Sequence, residues 1–319
     1  MEIVDRGHGV PLVLIPGIQG RWEYMRPAID RLARSFRVIT FPLCGERASQ
    51  RRFEPARGLD NFVDQIDAVL DDRGLARAII CGVSFGGLIA LHFSARRSAR
   101  TSALVLVSAP GPDFRPTPRQ QMYARTPWLF GPAFLAGIPG RVHTEISVTL
   151  PDRRDRRRFA WRQLRAFAGA PFSLPQMAAR STLLGSPDLT DDCARIAAPT
   201  LVISGDPSLD RVVPADGAAE YLRLIPGAQA ARIERTGHLG YITRPDVFAG
   251  IIENFVLATA ARESPATSPG PTIPLRNARR ATGAPAGAER GSRGPASDAE
   301  RGSAGAKPPG SNSSHDDAA

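Results

Sequence analysis

The chain has 319 residues, 42% of them hydrophobic and 23% charged, with a formal net charge of +10 in which Lys307 is the only lysine. That length allows one large domain or two modest ones with a sizeable core, and no stretch reaches the apolar length of a membrane span. A basic surface attracts anions, but no nucleic-acid motif accompanies it, so nucleic acid is not an expected partner.

Leu12-Val13-Leu14-Ile15 is the first strong element, after turn signals at Gly7-His8-Gly9. It is a continuous apolar run between Pro11 and Pro16, the pattern of a strand buried on both faces. The loop Pro16-Gly17-Ile18-Gln19-Gly20 follows, and Trp22, Met25, Ile29 and Leu32 then recur at helical spacing. Arg37 to Leu43 reads as a second strand and residues 44–58 as a polar loop. From Leu59 to Asp72, the residues Phe62, Val63, Ile66, Val69 and Leu70 share one face of an amphipathic helix. Ala78 to Cys81 is a third strand, residues 85–97 its helix, and Ser102 to Ser108 a fourth strand. This alternation predicts an α/β fold, a mostly parallel sheet with helices on both faces.

The rhythm breaks after the fourth strand. Residues 110–196 hold Pro-rich turns, helical pieces such as Ala160 to Ala168, and the charged run Arg153 to Arg158, which reads as a solvated helical face. They are expected to form a helical cap. Strand character returns at Pro199 to Ser204, followed by a helix from Ala215 to Leu224, a last strand from Ala230 to Glu234 and a closing helix from Asp246 to Leu257. The core is therefore expected at 1–109 and 197–260, the cap at 110–196, and a disordered tail at 261–319, where Pro, Gly, Ala, Ser and Arg dominate. Cys44, Cys81 and Cys193 are unclustered, which predicts idle thiols in a reducing compartment and no metal site or cofactor. With no signal-like layout at the N-terminus, the expected location is cytoplasmic.

The chemistry centres on Gly82-Val83-Ser84-Phe85-Gly86, which lies between a strand and a helix. A tight strand-to-helix turn strains its apical residue and crowds the neighbours, so glycine two before and two after removes the clashes. Phe85 N–H stands at a helix start, where donors are unpaired and the dipole favours an anion. A serine needs a base oriented by a carboxylate. Of five histidines, His8 sits between glycines, His92 is carried away from Ser84 along its helix, His143 lies in the insertion and His315 in the tail. His238, in Thr236-Gly237-His238-Leu239-Gly240, lies at the carboxyl edge of the sheet and is the candidate base. The loop Gly205-Asp206-Pro207-Ser208-Leu209-Asp210 offers two acids; Asp210 is favoured, with Asp206 the rival. A second oxyanion donor is expected from the N–H of Ile18, beside Phe85 N–H.

These motifs resemble the α/β-hydrolase fold superfamily over about residues 2–258. They are Leu14-Ile15-Pro16-Gly17, Gly82-Val83-Ser84-Phe85-Gly86-Gly87, Pro199 to Gly205 with Asp210-Arg211-Val212-Val213-Pro214, and Gly237-His238. The resemblance implies a sheet of about eight strands, a cap after the sixth strand and serine hydrolase chemistry. It supports Asp210, since the family's acid commonly stands shortly before a Val-Pro pair. The chain departs from the family in having Pro16-Gly17 where His-Gly is frequent, a short N-terminus that puts the first antiparallel strand in question, and a longer acid loop.

Serine at the elbow points to acyl transfer from a small-molecule substrate and away from the epoxide and halide chemistry of relatives with aspartate there. The leading expectation is hydrolysis of a carboxylic ester. The alternatives are a C–C hydrolase or acyltransferase on the same triad, or a slow-turnover binding or signalling protein. Trp128, Phe130, Phe134, Trp161, Phe167 and Phe172 are candidate walls of an apolar acyl pocket, the plainer reading of any one of them being the cap's own small core.

Overall fold

The computed structural model describes residues 2–185, 188–213 and 216–263, with the side chains of residues 134 and 135 left aside. The apolar runs become strands β1 (Val4–Arg6), β2 (Pro11–Ile15), β3 (Arg37–Thr40), β4 (Ala78–Val83), β5 (Thr101–Val107), β6 (Thr200–Ser204) and β7 (Gln229–Arg232). They form one sheet in the order β1-β3-β2-β4-β5-β6-β7. Only β1 runs antiparallel, pairing Val4 with Thr40. An antiparallel edge strand is therefore present despite the short N-terminus, and the described sheet has seven strands against the expected eight or so.

Side chains alternate across this sheet with the period of two that extended backbone dictates. Leu12 and Leu14 of β2, Cys81 of β4 and Val105 of β5 face α1 (Arg26–Leu32) and α12 (Pro245–Glu263), meeting Ile29, Phe248 and Ile252. Val13, Ile15, Ile80 and Leu104 face the other way, onto α2 (Asp60–Asp72), α3 (Phe85–Arg96) and Tyr221 of α10 (Asp216–Leu224). Each buried aliphatic side chain contributes roughly 1.5–3 kcal/mol, which is what holds the two helical layers to the sheet.

Between β5 and β6 lie six helices and no strand among the described residues: α4 (Pro118–Arg125), α5 (Pro127–Ala136), α6 (Ile138–Thr149), α7 (Arg153–Gly169), α8 (Leu174–Ser181) and α9 (Thr190–Ala194). A short helix, α11 (Gly240–Thr243), precedes α12. Helix α12 continues to Glu263, past the expected boundary at 261; the rest of the expected tail, 264–319, lies outside the described residues. No described helix is long and apolar enough to cross a membrane.

The parallel arrangement brings the carboxyl ends of β2, β4, β6 and β7 to one edge. The loops that leave those ends carry Gly17-Ile18, Ser84, Asp206 with Asp210, and His238.

Candidate active site

Ser84 ends β4 and begins α3 with φ 55° and ψ −123°, a conformation that costs a non-glycine residue of order 1–3 kcal/mol. Its surroundings enforce that geometry. A Cβ on Gly82 would lie 2.0 Å from the Gly86 carbonyl oxygen, and one on Gly86 would lie 2.5 Å from the Ile15 carbonyl oxygen. The backbone N–H of Ser84 is anchored to the Val107 carbonyl at 2.8 Å. Phe85 N–H is the first of α3 and has no intrahelical acceptor.

The loop after β2 closes on itself through Gly20 N–H to the Gly17 carbonyl, 2.9 Å. A Cβ on Gly17 would stand 3.5 Å from the Cβ of Ser84, so this turn abuts the elbow. Ile18, Ser84 and Phe85 together line a cavity of about 170 Å³. Its other walls include Phe114, Leu174, Met177, Leu184 and Val213; the polar side chains are Ser84, Gln120, Tyr123 and Ser181, and none is charged.

His238 is 8% exposed. Its Nδ1 lies 3.2 Å from Oδ2 of Asp210. An ionised carboxylate only accepts, so Nδ1 carries the proton of this bond; in the neutral imidazole Nε2 is then the acceptor. Oδ1 of Asp210 accepts from the N–H groups of Val212 and Val213 at 2.9 and 3.0 Å. Burial pushes the Asp210 carboxyl up, but the His238 hydrogen bond and charge, with the Val213 and Val212 amides, outweigh it and hold the group below the usual range. Asp206 does not reach His238. Its Oδ1 accepts from Ser208 N–H at 3.0 Å and Ser208 Oγ at 2.8 Å, closing an exposed turn. Those same two bonds, the side-chain one larger, lower its pKa.

The loops that carry Asp210 and His238 are fastened backbone to backbone. Asp206 N–H donates to the Thr236 carbonyl at 2.5 Å. A Cβ on Gly205 would lie 2.2 Å from the Gly237 carbonyl oxygen, and one on Gly237 would lie 2.6 Å from the Leu209 carbonyl carbon. Ser84 makes no hydrogen bond to His238 among the described residues, and His238 is not part of the cavity wall. Such bonds often close only when substrate arrives.

The chain belongs to the alpha/beta hydrolase family. The family model for the alpha/beta hydrolase family matches residues 12–251, from β2 into α12, and so takes in the loops that carry Ile18, Ser84, Asp210 and His238. The chain is 27% identical over 269 residues to 2-hydroxymuconate semialdehyde hydrolase of Pseudomonas putida, covering 82% of this chain and 92% of that protein. It is 25% identical over 266 residues to the pimeloyl-acyl-carrier-protein methyl ester esterase of Nitrosomonas europaea, covering 79% and 98%. An esterase of Exiguobacterium antarcticum has the same fold, with TM-score 0.66 and 20% identity over 80% of this chain and 94% of that one.

Two supports of this alpha/beta hydrolase site went unread in the sequence. Glu145 of α6 is 1% exposed. Its Oε1 accepts the N–H of Leu239 at 2.7 Å, and Thr149, one turn on, donates to the Arg235 carbonyl at 2.8 Å. Burial pushes the Glu145 carboxyl up; the Leu239 and Gly237 amides and His238 offset this in part, while Asp210 adds to it. Arg180 of α8 is fully buried and donates to the Ile18 carbonyl at 3.1 Å, the Cys44 carbonyl at 3.1 Å and Glu46 Oε1 at 2.9 Å. Their signal was faint. Glu145 and Thr149 are four apart, hence on one helical face, and Arg180 follows the apolar Met177-Ala178-Ala179.

The remaining candidates fall elsewhere. His92 is buried with its ring nitrogens 2.6 Å from Asp192 and 3.1 Å from Asp60, a link from α3 to α9 and α2 away from Ser84. Among the expected pocket walls, Trp128, Trp161 and Phe167 are exposed, because their helices turn them to solvent. Phe130 packs at a tilt against Tyr123 and Phe172 meets Tyr24 edge-on, and neither lines the cavity; the side chain of Phe134 lies outside the described residues. Cys44, Cys81 and Cys193 are buried and free, and burial pushes their thiols up, to about 12 for Cys44 and Cys193. Among the described residues, no group of three His, Cys, Asp or Glu side chains could hold a metal ion.

Proposed function

We propose that this chain is a serine hydrolase of uncharged, apolar carboxylic esters, with Ser84 as nucleophile, His238 as base and Asp210 as the carboxylate that orients it. Ser84 Oγ attacks the ester carbonyl while His238 Nε2 takes its proton. The tetrahedral oxyanion is met by the N–H groups of Ile18 and Phe85, each donor of this kind being worth ~3 kcal/mol of barrier. The C–O bond then breaks, the leaving alcohol takes the proton from Nε2, and an acyl-enzyme remains. Water repeats the sequence and releases the acid. Asp210 holds the Nδ1–H tautomer throughout.

The observation that carries this reading is the pairing of Asp210 with His238 at 3.2 Å on the sheet edge that also carries Ser84. The uncharged wall of the cavity beside Ser84 supports the substrate class. A C–C hydrolase or acyltransferase on the same triad is the alternative, for which Gln120, Tyr123 and Ser181 in the cavity wall would supply the further polar contacts. In this reading residues 110–196 form the cap over the core at 1–109 and 197–260.

The test is labelling with a fluorophosphonate probe, followed by a p-nitrophenyl ester series of increasing acyl length. The expected result is labelling of the native chain and none of Ser84→Ala, with turnover of neutral esters. An unlabelled native chain, or equal labelling of the variant, overturns the reading.

A further inference from the structure

Helix α7 rests on the rest of the molecule along one narrow stripe. Arg156, Phe159, Gln163 and Ala166 are half-buried, and every other residue from Arg153 to Gly169 is exposed. Steps of three and four residues define one face, so the opposite face stands free along a helix of roughly 25 Å.

Two kinds of side chain occupy that free face. The helix carries seven arginines and one aspartate, Asp155. Arg156 donates to the carbonyls of Leu150 and Pro151, and Arg158 reaches Asp155 at 3.5 Å. Arg153, Arg154, Arg157, Arg162 and Arg165 have no carboxylate partner among the described residues. At three-residue steps stand Trp161, 60% exposed, Leu164, 56%, and Phe167, 41%; these steps drift round the helix, so Trp161 lies on the free face and Phe167 at the margin of the contact stripe, where its ring meets Phe172 edge-on at 5.7 Å. Beside this face, Trp161, Arg162 and Arg165 border a groove of about 910 Å³ whose other charges are mixed, Arg26, Arg31 and Arg34 standing with Glu2, Glu23, Asp30 and Asp246, so the uncompensated positive charge is that of α7 itself.

Uncompensated arginines repel one another, and exposed Trp, Leu and Phe side chains are poorly solvated, so this face lacks its complement. The complement has to offer many anions and an apolar layer just behind them. A bilayer surface does so: guanidinium groups reach the phosphates while Trp, Leu and Phe enter the headgroup–acyl boundary. An acidic protein or a nucleic acid would satisfy the arginines, but would have to supply a separate groove for three apolar side chains standing on a convex helix. We propose that α7 docks this protein peripherally on a membrane surface bearing anionic phospholipid headgroups, with Trp161, Leu164 and Phe167 entering the boundary. The proposal is independent of the chemistry assigned to Ser84.

The experiment uses the full chain with mixed phosphatidylcholine–phosphatidylglycerol vesicles and with pure phosphatidylcholine vesicles, followed by co-sedimentation. Binding is expected on the mixed vesicles only, and weakens as salt is raised. Arg157→Glu with Arg165→Glu is expected to lower vesicle affinity at least about 25-fold, from roughly fivefold per arginine removed. Trp161→Ser is expected to lower it roughly tenfold. In a Trp128→Phe background only the buried Trp22 and the exposed Trp161 emit, and the emission is expected to shift to the blue on mixed vesicles and not to shift when Trp161→Phe is added. Unchanged thermal unfolding of each variant shows that the fold survives. No binding to mixed vesicles overturns the proposal. Native-like binding by the Arg157→Glu, Arg165→Glu chain also overturns it, by placing the contact elsewhere, as does capture of polyglutamate or RNA by a chain that ignores the vesicles.

Discussion

Oε1 of Glu145 accepts the backbone N–H of Leu239 at 2.7 Å, so a helix between β5 and β6 holds the residue next to His238. Glu145→Ala leaves that buried donor unpaired, at a cost of about 1–3 kcal/mol. Glu145→Gln keeps an acceptor in place. The expected order of kcat on a p-nitrophenyl ester is native, then Gln, then Ala, measured with circular dichroism to confirm folding.

The same carboxyl makes stability depend on pH. Burial raises its folded-state pKa above the unfolded value, so the folded chain keeps a proton that the unfolded chain releases. This contribution is complete below the unfolded value of about 4.3 and is lost as pH rises through the folded one. Glu145→Gln removes the dependence. Its thermal midpoint is expected to gain on that of the native chain as pH rises from acid to neutral.

Asp210 has the opposite sign. Its folded-state pKa is lowered, so its contribution is present above the unfolded value and disappears as pH falls through the folded one. Asp210→Asn is expected to lower kcat by about 10⁴, the size seen when a triad carboxylate is replaced by its amide. Asp206→Asn is expected to stay close to native kcat, because that carboxylate closes a turn with Ser208. A kcat for Asp206→Asn as low as that of Asp210→Asn would reverse the assignment.

Arg180 and Glu46 are both buried, and burial pushes each toward its neutral form while their mutual attraction opposes it. Arg180→Met strands the Glu46 carboxylate, an error of about 3–5 kcal/mol. Adding Glu46→Leu is expected to restore most of the stability in urea unfolding. It is not expected to restore kcat, since the Ile18 carbonyl still lacks its donor.

Gly237→Ala would place a Cβ 2.6 Å from the Leu209 carbonyl carbon, where no flexible side chain can give way. The expected loss is about 1–3 kcal/mol of stability together with most of the activity, since Asp210 and His238 are displaced from one another.

The sheet and the elbow were legible because their signals are local. The run Leu12 to Ile15 is short and closed at both ends by proline, which favours a buried strand over a helix, and Ser84 is bracketed by glycines that the turn itself demands. His238 was reachable because five histidines leave few options. The choice between Asp210 and Asp206 was not settled by sequence, since both stand in a turn-rich loop and only the backbone path decides which carboxylate meets the imidazole. Glu145 and Arg180 were invisible for a different reason. Each acts on a backbone group about 95 or 160 residues away in the chain, through contacts that no local spacing encodes. The aromatic residues misled: Trp128 and Trp161 carry the composition of a pocket wall but lie on the outer sides of their helices.

Glu145 and Thr149 reach the loop of His238, and Arg180 reaches the Gly17-Ile18 loop, all from the segment between β5 and β6. That segment is therefore not an interchangeable module. A chimera that grafts the same stretch from another hydrolase onto this sheet would bring its own pocket and lose three fastenings of the machinery beneath it. Exchange of specificity in this protein has to proceed by side-chain replacement along the cavity wall, with residues 145, 149 and 180 retained.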